Sequence, residues 1–370
     1  MISLCRSRLF KTVAQHSRSA CLSSTPGSVE LGRIQASSNP QLPLCERSAE
    51  YIESAATVSK WYREVSNSLV QVGDELQKDG GPMYDDLVTE LGWLMEDAVV
   101  GWKEFAASQE RKMACAGSGK SREDAMLKLR ISIVELRELW EKRIVERVPL
   151  QYLTCSAFWR DMVLSVGPGV LIPRPETELM IDFVQHVVEN HPHLASGEWV
   201  DLGTGSGALA VGMARAMPAA QVIATDLAPE PLRYASFNAT RYKVFDRVDV
   251  IESNWFDGLH EAGISNVAGI LSNPPYIPAQ DVPALQAEVA LHEPRLALDG
   301  GSDLAIDSLM PICRGAAEIL QPGGFIGLET GGGEQAHYVS HVLEHLSAFH
   351  HITIRRDLRG VERFISAFKK

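Results

Sequence analysis

The sequence predicts an α/β protein: a doubly wound, mostly parallel sheet with helices on both faces, preceded by a small helical bundle. Two observations carry this. From Val148 onward, short apolar runs alternate with stretches of helical period, the pattern of a parallel sheet whose crossovers are helices. Before Val148, apolar residues recur at three- and four-residue steps, the signature of amphipathic helices.

In chain order, residues 1–45 come first. They hold Arg6, Arg8, Lys11, Arg18 and Arg33 against the single acid Glu30, with serines interleaved and no continuous apolar stretch. Such a segment reads as an organellar transit peptide rather than a secretory signal. The expected address is an organellar matrix, the chloroplast stroma ahead of the mitochondrion. Subtracting this leader's +4 from the chain's −12 leaves −16 for residues 46–370, so the body is acidic. An acidic body speaks against a polyanionic partner such as duplex DNA, whose binding rests on Lys and Arg. No apolar run approaches the roughly 18 residues of a membrane-spanning helix. The expectation is therefore no direct nucleic-acid or membrane partner; a monomer is expected, although the sequence leaves the oligomeric state open. The six cysteines lie far apart and form no CxxC pair, so neither a zinc site nor a disulfide framework is implied.

Residues 50–148 form the expected helical domain, with residues 51–148 read as helices throughout. Its stripes are Val58, Trp61, Val65, Leu69, Val72 and Leu76; then Leu87, Leu91, Leu94, Ala98 and Trp102; then Leu129, Ile133, Leu136, Trp140 and Ile144. KDGGP at 78–82 and ACAGSGKS at 114–121 are the links. Trp61, Trp93, Trp102 and Trp140 are expected as core. The strands expected later are EWVDLG (198–203), QVIATD (221–226), VDVIES (248–253), GILSN (269–273) and GFIGLET (324–330). HHITIRRD (350–357) and ERFISAFK (362–369) are joined by too short a link for a helical crossover, so they should form an antiparallel hairpin.

Two motifs carry chemistry. VDLGTGSGALAVGMA (200–214) runs from strand through a glycine-rich turn into a helix. Gly203, Gly205 and Gly207, with Thr204 and Ser206 between them, suit a backbone that turns tightly against a ligand. The G-x-G-x-G spacing is not the G-x-G-x-x-G of pyrophosphate-binding folds. Asp226 ends the next strand, 21 residues past Gly205, where a carboxylate can accept both hydroxyls of a ribose. Together with the leading acid Asp201, this favours S-adenosyl-L-methionine over a nicotinamide cofactor; a purely capping Asp226 is the structural alternative. The second motif is Asn273-Pro274-Pro275-Tyr276, where a strand loses two backbone donors in succession. Asn273 Oδ1 and a rigid proline carbonyl could accept both N–H hydrogens of a planar amide or aromatic amine beside the cofactor, and Tyr276 could pack over the flat group.

DLGTGSG, the strand ending in NPPY, VLIPRPETE (170–178) and HEPRLALDGG (292–301) together resemble the HemK/PrmC family, the N5-glutamine methyltransferases of peptide chain release factors, in an organellar, plant- or algal-like form. The resemblance runs from about Val148 to Lys370. It implies a Rossmann-like class I methyltransferase domain over 184–370, seven-stranded with an antiparallel last strand. It also implies a connecting hairpin with the PRPETE segment over 149–183, and the helical domain before it. The implied donor is S-adenosyl-L-methionine and the implied substrate is the glutamine of an organellar release factor's Gly-Gly-Gln motif. By position, the cofactor loop falls on Gly203 to Gly207, the ribose acid on Asp226, the adenine-side tryptophan on Trp255, and the amide-gripping loop on Asn273 to Tyr276. The PRPETE stretch favours this branch over the one that methylates a ribosomal protein. Two other classes stay open, an adenine-N6 nucleic-acid methyltransferase and a non-enzymatic translation-binding module.

Arg174, Glu176 and Glu178 open a helix, where acids are often only dipole partners. AGSGKS (116–121) lacks the first glycine of a phosphate-binding loop. His341 and His345 match an H-x-x-E-H zinc pattern with His337 on the same face, yet no further ligand is suggested, so they read as a surface row.

Overall fold

Two antiparallel strands stand inside the region read as purely helical: β1 (Tyr51–Ser54) pairs with β2 (Met126–Leu129), Tyr51 opposite Leu129 and Ser54 opposite Met126. The computed structural model describes residues 39–114 and 125–370. The AGSGKS stretch and most of the segment expected as a transit peptide, residues 1–38, lie outside the described residues. The leader boundary expected at 45 falls within a structured segment, because Pro43 leads into a turn of 3-10 helix and Leu44 is buried in the core of the helical domain.

The helical domain consists of α1 (Ala55–Leu76), α2 (Tyr84–Ala98), α3 (Trp102–Ala114) and α4 (Ile133–Glu141). Ser54 Oγ caps α1 by accepting from Thr57 N at 3.1 Å. At α4 the capping box is reciprocal: Ser132 Oγ accepts from Glu135 N at 3.1 Å and Ser132 N donates to Glu135 Oε2 at 2.8 Å. Val58, Trp61, Leu69, Leu87, Leu91, Leu94, Leu136 and Trp140 form one core. Trp93 departs from expectation and is 52% exposed. At 100° per residue it stands about 120° away from the Leu87–Leu91–Leu94 face, which is why the stripe excludes it.

A short hairpin of β3 (Ala157–Trp159) and β4 (Met162–Leu164) follows, then α5 (Leu179–Asn190). The remaining strands are β5 (Glu198–Leu202), β6 (Gln221–Asp226), β7 (Val248–Glu252), β8 (Val267–Ser272), β9 (Leu320–Glu329), β10 (Phe349–Arg356) and β11 (Glu362–Lys369). They form one sheet in the order β10-β11-β9-β8-β5-β6-β7, with β11 antiparallel to both neighbours. This is the class I methyltransferase topology, with the terminal hairpin where the short link required it. Helices α6 (Ala208–Ala216), α7 (Pro229–Arg241), α8 (Asp257–Glu261), α9 (Ala287–His292), α10 (Leu309–Ile319) and α11 (Gly333–His345) complete the fold.

Strand side chains alternate between two cores. Trp199, Val222, Ala224, Leu271 and Phe325 face the layer that holds α5 and α6, whereas Val200, Leu202, Ile223, Ile270 and Ile326 face the layer of α10 and α11. With both faces covered, the free edge of function is the carboxyl end of the strands. Chain order runs outward from β5 through β6 and β7, then restarts on the other side at β8, so the switch point lies between β5 and β8.

Candidate active site

Register fixes the site. Leu202 is paired with both Thr225 and Ser272, and Ser272 with Leu328. One residue beyond that row, on four neighbouring strands, come Gly203, Asp226, Asn273 and Glu329. Adjacent strands lie about 4.8 Å apart, so these four positions share one rim. A cavity of about 310 Å³ opens there. Of the residues expected from sequence, Asp201, Gly203 to Ser206, Asp226, Trp255, Asn273 and Pro275 line it. Gly207 does not: at φ 83° it starts α6, and a Cβ there would stand 2.9 Å from Ala235 Cα, so its role is close helix packing against α7 rather than ligand contact. Pro274 is buried behind the rim, and Tyr276 is held beside it by Glu329.

The glycine loop is pinned at both ends. Thr204 N donates to Thr225 O at 2.8 Å and Thr204 Oγ1 donates to Asp201 Oδ2 at 2.7 Å. Ala210 N also donates to Asp201 Oδ2, at 3.0 Å. Asp201 Oδ1, equally buried, has no partner among the described residues. Burial raises this carboxyl to about 7 against the hydrogen bonds from Thr204 and Ala210 that favour its charge. Asp226 Oδ2 accepts from Gly205 N at 3.0 Å and Oδ1 from Ala228 N at 3.2 Å. Burial raises it also, with the backbone amides opposing. Capping and ligand binding are thus not exclusive at Asp226, since a carboxylate oxygen can accept more than one hydrogen bond and Asp226 lines the cavity. Trp255 holds a left-handed backbone at φ 52°, and its carbonyl accepts from Ser253 Oγ at 2.8 Å. That arrangement lays the indole 3.7 Å from where a Cβ on Gly203 would be.

Around the NPPY corner the hydrogen bonds have a fixed sense. Asn273 Nδ2 donates to Thr177 Oγ1 at 3.1 Å, and Thr177 Oγ1 donates to Glu329 Oε2 at 2.6 Å. Tyr276 OH donates to Glu329 Oε1 at 3.1 Å. Tyr276 O accepts from Gln335 Nε2 at 3.1 Å, and Pro275 O is turned against Gly300, 2.8 Å from where a Cβ would sit.

A methyltransferase small domain model matches residues 178–308. A release factor glutamine methyltransferase of Synechocystis is 41% identical over 280 residues, 75% of this chain and 89% of that protein. Another, from Thermosynechococcus vestitus, is 45% identical over 239 residues, 65% of this chain and 80% of that protein. The chain belongs to the release factor glutamine methyltransferase family. Its methyl donor is S-adenosyl-L-methionine.

In this methyltransferase the rim residues fit that donor. Asp201 Oδ1 is a buried acceptor in want of a donor, Asp226 offers a carboxylate at the end of β6, and Trp255 supplies an aromatic wall. Sequence reasoning missed Thr177 and Glu329. Glu176 and Glu178 drew attention instead, but Glu178 accepts from Arg160 N at 2.9 Å and Glu176 stands 3.7 Å from Arg359, both away from the cavity. The available signal for Glu329 was its place at the end of GFIGLET, in the same rim row as Asn273. His341 and His345 lie on α11: His341 Nδ1 is 3.1 Å from Glu344, and His345 Nδ1 is 2.7 Å from His341 O.

Proposed function

We propose that the protein methylates the side-chain amide nitrogen of the glutamine in the Gly-Gly-Gln motif of an organellar peptide chain release factor, acting as a monomer. The observation that carries this reading is the fixed Asn273 amide: with Nδ2 committed to Thr177, Oδ1 is the atom left for a substrate at the cavity rim. A carboxamide nitrogen is a weak nucleophile because its lone pair is delocalised into the carbonyl. Two acceptors that grip its hydrogens fix its plane and strengthen as positive charge grows on it, so they favour the transition state over the ground state. Asn273 Oδ1 is the first acceptor. A proline carbonyl of the same corner is the second; Tyr276 O is excluded because it is occupied by Gln335. Proline holds this carbonyl without an entropy loss on binding. Tyr276, tethered by its hydroxyl to Glu329, covers the flat group. When bound, S-adenosyl-L-methionine supplies the electrophilic methyl; Asp201, Asp226 and Trp255 are the residues that would hold it.

Support for the organellar address comes from the basic, serine-rich leader and from the cyanobacterial relatives, which favour a chloroplast over a mitochondrion. The test is incubation of purified protein with methyl-labelled donor and a chloroplast release factor, followed by mass spectrometry. A single methyl on the Gly-Gly-Gln glutamine is expected. Label absent from that residue, or transferred to adenine in a nucleic-acid control, would overturn the reading.

A further inference from the structure

We propose that Glu329 and Thr177 are positioning residues that set which way the Asn273 amide faces, through hydrogen bonds of one enforced polarity. The inference rests on the amide-gripping role given above to Asn273. An asparagine amide is nearly symmetric in shape, so packing alone barely distinguishes Oδ1 from Nδ2. The two orientations differ completely toward a substrate carboxamide: Oδ1 accepts its N–H, whereas Nδ2 would set donor against donor. Something must choose.

The choice begins at Glu329. Its side chain is buried at the end of β9, and an ionised carboxylate only accepts. Thr177 Oγ1, 2.6 Å away, therefore spends its single hydrogen on Oε2. A hydroxyl whose hydrogen is committed can only accept from its other neighbour, so Asn273 must turn Nδ2 toward it, as it does at 3.1 Å. The second Glu329 oxygen acts likewise on Tyr276 OH, so one carboxylate governs both functional side chains of the corner. Burial, with Glu176 adding to it, raises the Glu329 carboxyl above the usual carboxylate range, and the two hydroxyl donors and the Arg363 guanidinium only partly offset that rise, so the polarity is the one enforced by the ionised form. Thr177 reaches this point because the 3-10 turn Glu176–Glu178 carries it inward while its acidic neighbours point elsewhere.

Two substitutions break the polarity without removing volume. Thr177→Val deletes the hydroxyl. Glu329→Gln puts a donor where only acceptors stood, so Thr177 can receive from Gln and donate to Asn273 Oδ1, which admits the wrong amide orientation. Each variant, with wild type, is assayed on an intact release factor for kcat and KM, and by calorimetry for donor binding. Both should lose about 10- to 100-fold in kcat, as expected for a misdirected transition-state hydrogen bond. Donor Kd should stay within about twofold: Thr177 lines the same cavity, but its hydroxyl is engaged by Glu329 and Asn273, and Glu329 does not line it. Thr177→Ser, which keeps the hydroxyl, should restore most of the loss. A Thr177→Val enzyme with kcat within twofold of wild type, or loss of donor affinity in step with kcat, overturns the proposal. So does failure of Thr177→Ser to rescue. A wild-type protein inactive on the release factor defeats the parent reading, and this one with it.

Discussion

Glu288→Ala should destabilise the protein by about 3 kcal/mol, although Glu288 touches neither the glycine loop nor the NPPY corner. Glu288, on α9, accepts from Arg143 Nη1 at 2.8 Å and from Arg147 Nε and Nη2 at 2.7 and 2.8 Å. Arg143 and Arg147 are 1% and 5% exposed at the end of the helical domain. Deleting the carboxylate removes three charge-assisted hydrogen bonds, each worth about 1.5–3 kcal/mol. The loss is partly offset because Glu90 still grips Arg143 and Asp79 still grips Arg147. Asp79 has an exposed side chain through which water can reach Arg147, so the lower end of the about 3–5 kcal/mol typical of a broken buried pair applies. Urea unfolding followed by tryptophan fluorescence measures it directly. Burial works against ionisation of Glu288, but Arg147 and Arg143 outweigh it and hold the carboxyl below the usual range. Its titratable contribution is therefore full above the unfolded value of about 4.3 and is lost as pH falls through the lower folded value, so the gap between wild type and variant should narrow as pH falls below about 4. A difference under 0.5 kcal/mol at pH 7 would refute the reasoning.

Three further outcomes follow from the same geometry. Asp226→Ala should weaken donor binding with little change in fold, and an unchanged Kd by calorimetry would contradict its assignment. Asp201 is raised to about 7, so ionising it costs the donor-free protein stability as pH rises from about 4 to about 7; Asp201→Asn should stabilise that form at pH 8 by up to about 4 kcal/mol, gain nothing at pH 4, and bind donor more weakly. Thermal or denaturant unfolding at the two pH values checks it. Trp140→Ala should cost about 3–5 kcal/mol, whereas the exposed Trp93→Ala should stay within about 0.5 kcal/mol, again by urea unfolding.

What the sequence made legible was local. The seven strands carry their own apolar runs, the glycine spacing marks its turn, and two consecutive prolines announce an end to regular structure, so rim and loops could be placed beforehand. What escaped was long-range. YIES and MLKL are four-residue strands whose partners are more than seventy positions apart, and neither run is long enough to betray a period. Arg143, Arg147 and Glu288 look like surface charges in sequence because charge pairing across 145 residues leaves no local trace. Thr177 sat hidden between two more conspicuous acids. Trp93 was legible and misjudged: its helical angle already separated it from the stripe.

The central claim is that Asn273 Oδ1 grips the substrate amide, and single-turnover methyl transfer by Asn273→Ala, measured alongside calorimetric donor binding, tests it most directly. Transfer to the release factor should become undetectable while the donor Kd stays within about twofold of wild type. Transfer at a wild-type rate, or donor affinity lost in step with it, would contradict the account.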